Sequence, residues 1–86
     1  MIQIKTVVKN ATGLHARPAA RLVKLCKTYK SKVTLQAGGR CCDAKSIFKL
    51  LQCAIKVGEI VIVQAEGEDE AQAATAVAQL IDALEE

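Results

Sequence analysis

Gly13-Leu14-His15-Ala16-Arg17-Pro18-Ala19-Ala20 is the stretch on which the reading of this chain turns, because it sets the one histidine where a strand gives way to a helix. Gly13 permits the positive φ of a tight turn, and Pro18 is tolerated in a first helical turn, whose N–H groups lack intrahelical partners. From there Ala16, Ala19, Ala20, Val23 and Cys26 recur three or four apart, the spacing of one helix face laid on a core. His15 therefore stands at or beside the N-cap. There the amides of Ala16 and Arg17 and the positive end of the helix dipole favour an anion, and the Arg17 guanidinium adds a permanent charge with planar donors suited to phosphate oxygens. Imidazole is nucleophilic near pH 7, so a histidine there can act as a nucleophile and hold what it captures.

On the N-terminal side, Ile2, Ile4, Thr6 and Val8 alternate with Gln3, Lys5, Val7 and Lys9, which predicts a strand with one buried face. The loop 10–14 follows, and the helix is predicted from Ala16 to Tyr29, with Arg21, Lys24 and Lys27 outward and Lys27 and Lys30 near its negative end. Val33, Leu35 and Ala37 alternate with Lys32, Thr34 and Gln36 in a second strand. Gly38-Gly39 suits a two-residue hairpin turn, and Arg40 to Asp43 return as a third strand. Ser46 is a good N-cap for a short helix over Ile47 to Cys53. After a turn at Gly58, the apolar run within Glu59 to Ala65 predicts a strand flanked by others rather than an edge, ended by Gly67. A last helix over Asp69 to Leu84 sets Ala73, Ala74, Val77, Ile81 and Leu84 on one face, and its acidic start suits the dipole. Glu85 and Glu86 do not, so its end is expected to fray. The order β-α-β-β-α-β-α predicts an α+β fold over residues 1–86 as a single domain: an open-faced β-sandwich, a four-stranded antiparallel sheet with three helices on one face.

Composition narrows the function. With one Phe, one Tyr and no Trp, the core is built from Val, Ile, Leu and Ala, and stacking recognition of nucleic acid is poorly supported. No apolar run approaches the roughly 20 residues of a membrane helix. The net charge of +3 conceals a division: all twelve Lys and Arg lie in residues 1–58, where Asp43 is the sole acid, a balance of 12 − 1 = +11, and residues 59–86 hold the other eight acids. A basic segment around His15 implies an acidic partner. The four cysteines, with no signal peptide ahead of the first strand, are read as reduced core or sheet residues in a cytoplasmic protein. One histidine and no zinc spacing imply no metal site.

The stretch Gly13 to Ala19 resembles the active-site signature of the HPr family, the histidine-containing phosphocarriers of the bacterial sugar phosphotransferase system, unbroken over seven residues. The resemblance continues through Ala44-Lys45-Ser46-Ile47-Phe48-Lys49-Leu50 and Ala65-Glu66-Gly67-Glu68-Asp69-Glu70, at the positions and overall length of that family. It implies that His15 takes a phosphoryl group at Nδ1 from phosphorylated enzyme I, itself charged by phosphoenolpyruvate, and passes it to sugar-specific enzyme IIA domains. Arg17 and the amides of Ala16 and Arg17 would steady the phosphoryl oxygens, in a monomer that needs no cofactor. Ser46 is also the regulatory target of an HPr kinase/phosphorylase in many Gram-positive members, although its surroundings here resemble the enteric type at least as much. The nitrogen-related HPr paralogue would share the chemistry with other partners. An acylphosphatase-like hydrolase lacks its phosphate-cradling loop here, with only Asn10 preceding His15 as a water-positioning amide. A purely regulatory binding module is disfavoured by the retention of His15 and Arg17.

Two features depart from a simple core reading. Ile47, Phe48, Leu50 and Leu51 are too many apolar side chains for one short helix to bury, so a docking patch of Ile47, Phe48 and Leu51, ringed by Arg17, Lys24, Lys27 and Lys49, is expected; the competing reading puts Phe48 in the core. Many family members have Gly after the short helix. Here Ala54 makes a positive φ costly and leaves the helix exit open, and the pair Cys41-Cys42 is unusual for the family.

Overall fold

The computed structural model describes residues 1–84, so the expected fraying at Glu85 and Glu86 lies outside the described residues. The elements are β1 (Ile2–Val7), α1 (Ala16–Cys26), β2 (Lys32–Ala37), β3 (Arg40–Asp43), α2 (Ile47–Cys53), β4 (Ile60–Glu66) and α3 (Glu70–Asp82). The sheet order is β1-β4-β2-β3, with every neighbouring pair antiparallel. β4 thus lies between β1 and β2, in the register Ile4↔Val63 on one side and Leu35↔Val63 on the other. The expected fold class and order hold.

Alternation decides which face is covered. Val33, Leu35, Val61, Val63 and Ala65 point to the helices and are fully buried, while Ile62 and Gln64 are half-buried and Ile60 is 51% exposed. The continuous apolar run of β4 therefore marks a central strand without marking a strand covered on both sides. On the open face Gln64 Oε1 accepts from Gln3 Nε2 at 3.0 Å and from Gln36 Nε2 at 3.4 Å, a polar ladder across three strands. At the hairpin, Gly38 and Gly39 both take positive φ (53° and 81°), the backbone sense that matches the twist of the flanking strands.

Two expectations about α1 are corrected. Its buried face is Pro18, Ala19, Leu22, Val23 and Cys26, and Ala16 and Ala20 are exposed. The helix is rotated toward Leu22 because burying a leucine side chain contributes about 1.5–3 kcal/mol, far more than an alanine methyl. The helix also stops at Cys26 rather than Tyr29. Beyond it the N–H groups of Thr28 and Tyr29 donate to Leu25 and Cys26, three residues back, and the Thr28 hydroxyl takes the Leu25 carbonyl at 2.7 Å. The next amides are captured from far away in sequence: Asp69 accepts from the N–H groups of Lys30 and Ser31, both at 2.9 Å, and from the Ser31 hydroxyl. Asp69 is itself the N-cap residue of α3, where its backbone carbonyl accepts from the Ala73 N–H at 2.9 Å while its carboxylate is turned to the 30–31 amides.

Candidate functional site

His15 is the N-cap residue of α1, with extended backbone (φ −94°, ψ −163°), and its side chain makes no capping hydrogen bond. The ring is exposed. The helix ladder begins with the Ala19 N–H, which donates to the His15 carbonyl at 2.8 Å; ahead of it stand the amides of Ala16 and Arg17, since Pro18 carries none. Pro18 is buried and sets the first turn against the core, while the Arg17 side chain faces outward.

The turn that delivers His15 is held from inside and from across the molecule. Asn10, only 3% exposed, donates from Nδ2 to the Gly13 carbonyl at 2.7 Å. The Leu14 N–H donates to the Ile55 carbonyl at 2.9 Å, and Leu14 itself is buried. Gly13, at φ 66°, lies so close to the 55–56 backbone that a Cβ there would be 2.6 Å from the Ile55 carbonyl oxygen. Glycine is thus required twice, for the left-handed turn and for the close approach.

A shallow hollow of about 260 Å³ beside the imidazole is lined by His15 with Thr12, Leu51, Ala54 and Lys56. The structure so brings the α2 side chain Leu51 to His15, and adds Lys56, a cation that sequence reasoning did not connect with the site because it lies 41 positions away. No local signal could have found it. Phe48, one turn earlier on the same face of α2 as Leu51, is 76% exposed, which excludes the core reading; Leu51 is 39% exposed, Ile47 is half-buried and Leu50 is fully buried. The basic residues do not surround a single hollow. Lys24 lines a groove with Leu80 between α1 and α3, Lys49 lines a depression with Gln52 at the β3 edge, and Lys27 is exposed near the end of α1.

Ser46 is the N-cap of α2, its hydroxyl accepting from the Lys49 N–H at 3.4 Å. At the other end of α2, Ala54 takes the left-handed conformation (φ 49°, ψ 49°) in spite of its Cβ, and its N–H donates to the Leu51 carbonyl at 3.1 Å. The helix exit is therefore the one a glycine would make. Among the described residues no group of three or more His, Cys, Asp or Glu is placed to hold a metal ion, and no helix is long and apolar enough to cross a membrane.

Residues 2–83 match the family described as the PTS HPr component phosphorylation site. The phosphocarrier protein HPr of Haemophilus influenzae is 45% identical over 75 residues, covering 87% of this chain and 88% of that protein. The phosphocarrier protein HPr of Borreliella burgdorferi is 37% identical over 86 residues, covering all of both chains. The crystal structure of HPr from Thermoanaerobacter tengcongensis superposes with a TM-score of 0.90 at 36% identity, covering 94% of this chain and 91% of that one. With an exposed histidine opening α1 beneath that likeness, the chain belongs to the HPr family of phosphocarrier proteins of the phosphotransferase system.

Proposed function

We propose that His15 is the phosphoryl acceptor, charged at Nδ1 by phosphorylated enzyme I and discharged to enzyme IIA domains for sugar uptake, with the chain acting as a monomer. The observation that carries this reading is the placement of an exposed imidazole at the head of α1 with its side chain engaged in no cap bond. A phosphoryl group there would meet the amides of Ala16 and Arg17 and the positive helix end, with Lys56 lining the same hollow and the exposed Arg17 side chain carried by the first helical turn. These donors stabilise the charge spread over the transferring oxygens while no residue is needed to activate water, so the group moves from one nucleophile to the next. The face of α2 bearing Phe48, Leu51 and the half-buried Ile47 docks the partners, and Arg17, Lys24, Lys27 and Lys49 raise the rate of approach of acidic surfaces. Ser46 sits half-exposed at the edge of that face, and its phosphorylation by an HPr kinase would set about two negative charges there and repel the same partners.

Incubation with phosphoenolpyruvate and enzyme I is expected to load one acid-labile phosphoryl group. His15→Ala should lose it while keeping the circular-dichroism spectrum of the folded protein, and Arg17→Ala should slow transfer without unfolding. An acid-stable adduct on the wild type, or labelling that survives His15→Ala, would overturn the assignment.

A further inference from the structure

Three of the four cysteines, Cys41, Cys42 and Cys53, gather at one depression of about 640 Å³ at the outer edge of β3, away from His15. All are free thiols. Cys41 and Cys42 are neighbours on a strand and so face opposite sides of the sheet: Cys41 is exposed on the open face, whereas Cys42 turns under α2 and is 4% exposed. Cys53 is the last residue of α2, 8% exposed, and α2 packs directly on β3. The junction is held in place by Arg40, which donates to the Cys53 carbonyl and, at 3.2 Å, to the Ala54 carbonyl, while its other terminal nitrogen pairs with Glu59. Under this clamp the Cys42 thiol donates to the Leu35 carbonyl at 3.7 Å, and Cys42 and Cys53 line the same depression. Two thiols from directly packed elements thus share the wall of one open depression, so that a bond between them would tie α2 to β3.

We propose that Cys42 and Cys53 are a redox-active thiol pair that a disulfide of low molecular weight converts into an intramolecular disulfide, tying the end of α2 to the edge strand β3. Cys53 attacks first, since burial above all, and then the neighbouring Cys53 thiol, push the Cys42 thiol far above its ordinary range and keep it from ionising unaided. As the Cys53 sulfur bonds to one sulfur of the reagent, the reagent's S–S bond breaks and its first half leaves as a thiol. Cys42 then gives up its proton and attacks the Cys53 sulfur, the mixed disulfide breaks, and the second half leaves as a thiol. Two protein thiols are oxidised and one reagent disulfide is reduced to two thiols. Cys26, buried where α1 ends, has its thiol pushed up to about 12 by burial and takes no part. The bridge encloses the whole of α2, and its Cys53 end is two residues from Ile55, whose carbonyl holds Leu14 beside His15.

The test uses the whole reduced protein and glutathione disulfide as the probe, followed by acid quench, alkylation under denaturing conditions and peptide mapping. The expected product is a monomer lighter by about 2 Da, with Cys42 and Cys53 in one cross-linked peptide and Cys26 alkylated. Cys41→Ser should form the same bridge, Cys53→Ala should form none, and the oxidised wild type should melt several degrees above the reduced protein. Should Cys53→Ala fail to fold, the wild-type and Cys41→Ser maps decide the matter alone. Recovery of Cys42 and Cys53 both alkylated, with glutathione only on Cys41 or a bond between two copies through Cys41, would overturn the proposal.

Discussion

Replacing Ala54 with glycine should stabilise this protein, against the rule that glycine weakens a helix. Ala54 ends α2 at φ 49° and ψ 49°, the one non-glycine residue with positive φ among those described. An L-residue in that region sets its Cβ against the following carbonyl oxygen at a cost of roughly 1–2 kcal/mol, which glycine does not incur. Against this gain, glycine gives the unfolded chain more freedom, worth about 0.4–1 kcal/mol. The side chain is exposed and makes no contribution to the core, so little else is lost. The difference favours the variant by about 0.5–1 kcal/mol, a rise in Tm of roughly 2–8 °C for a domain of this size. The assay is thermal and urea unfolding followed by far-ultraviolet circular dichroism, with Ala20→Gly as control. Ala20 is exposed within α1 in ordinary helical conformation, where the same change should cost about 0.5–1 kcal/mol. Opposite signs for the two variants are expected. An Ala54→Gly protein no more stable than wild type, beside a destabilised Ala20→Gly, would refute the assignment of strain to the α2 exit.

Phe48→Ala should leave Tm within about a degree, since the ring is 76% exposed, and weaken enzyme I binding about tenfold or more at any salt; a fall of several degrees with affinity intact would remove Phe48 from the docking face. Lys24→Glu and Lys27→Glu should slow association chiefly at low salt, because exposed charges are screened beyond about 10 Å at 0.1 M; equal slowing at high salt would point to direct contact instead. The Asp69 carboxyl is drawn down to about 2, by the Ser31 hydroxyl first and the Lys30 amide next. A lowered folded value means that its contribution is present above its ordinary value and is lost as pH falls through the interval between them, so the wild type should lose stability between about pH 4 and pH 2 more steeply than Asp69→Asn. Parallel curves for the two proteins in that interval would show that the Ser31–Asp69 contact does not hold the loop.

What the sequence determined by itself is whatever depends on neighbours within about one helical turn. Period-two alternation identified β1 and β2, the Gly38-Gly39 pair identified the hairpin, and Ser46 marked the start of α2, because backbone torsion and cap bonding are settled by adjacent residues. His15 was placed at the head of α1 for the same reason. Tertiary structure decided what distant segments supply. The end of α1 at Cys26 goes with the capture of the 30–31 amides by Asp69, 39 and 38 positions on, which no helical periodicity can register. The place of β4 between β1 and β2 was suggested by its apolar run, but which strands flank it, and that its outer face stays open, required the pairing itself. The short helix carried more apolar side chains than it could bury. Only packing chose Leu50 for the core and Phe48 for solvent, because orientation about a helix axis is set by the surface it lies on. Ala54 adopts a conformation its own chemistry disfavours, held where Arg40 grips its carbonyl from β3, and Lys56 and Leu51 meet His15 only because the 55–56 backbone closes on Gly13: local preference costs about 1 kcal/mol at such positions, and the contacts of a folded chain exceed it.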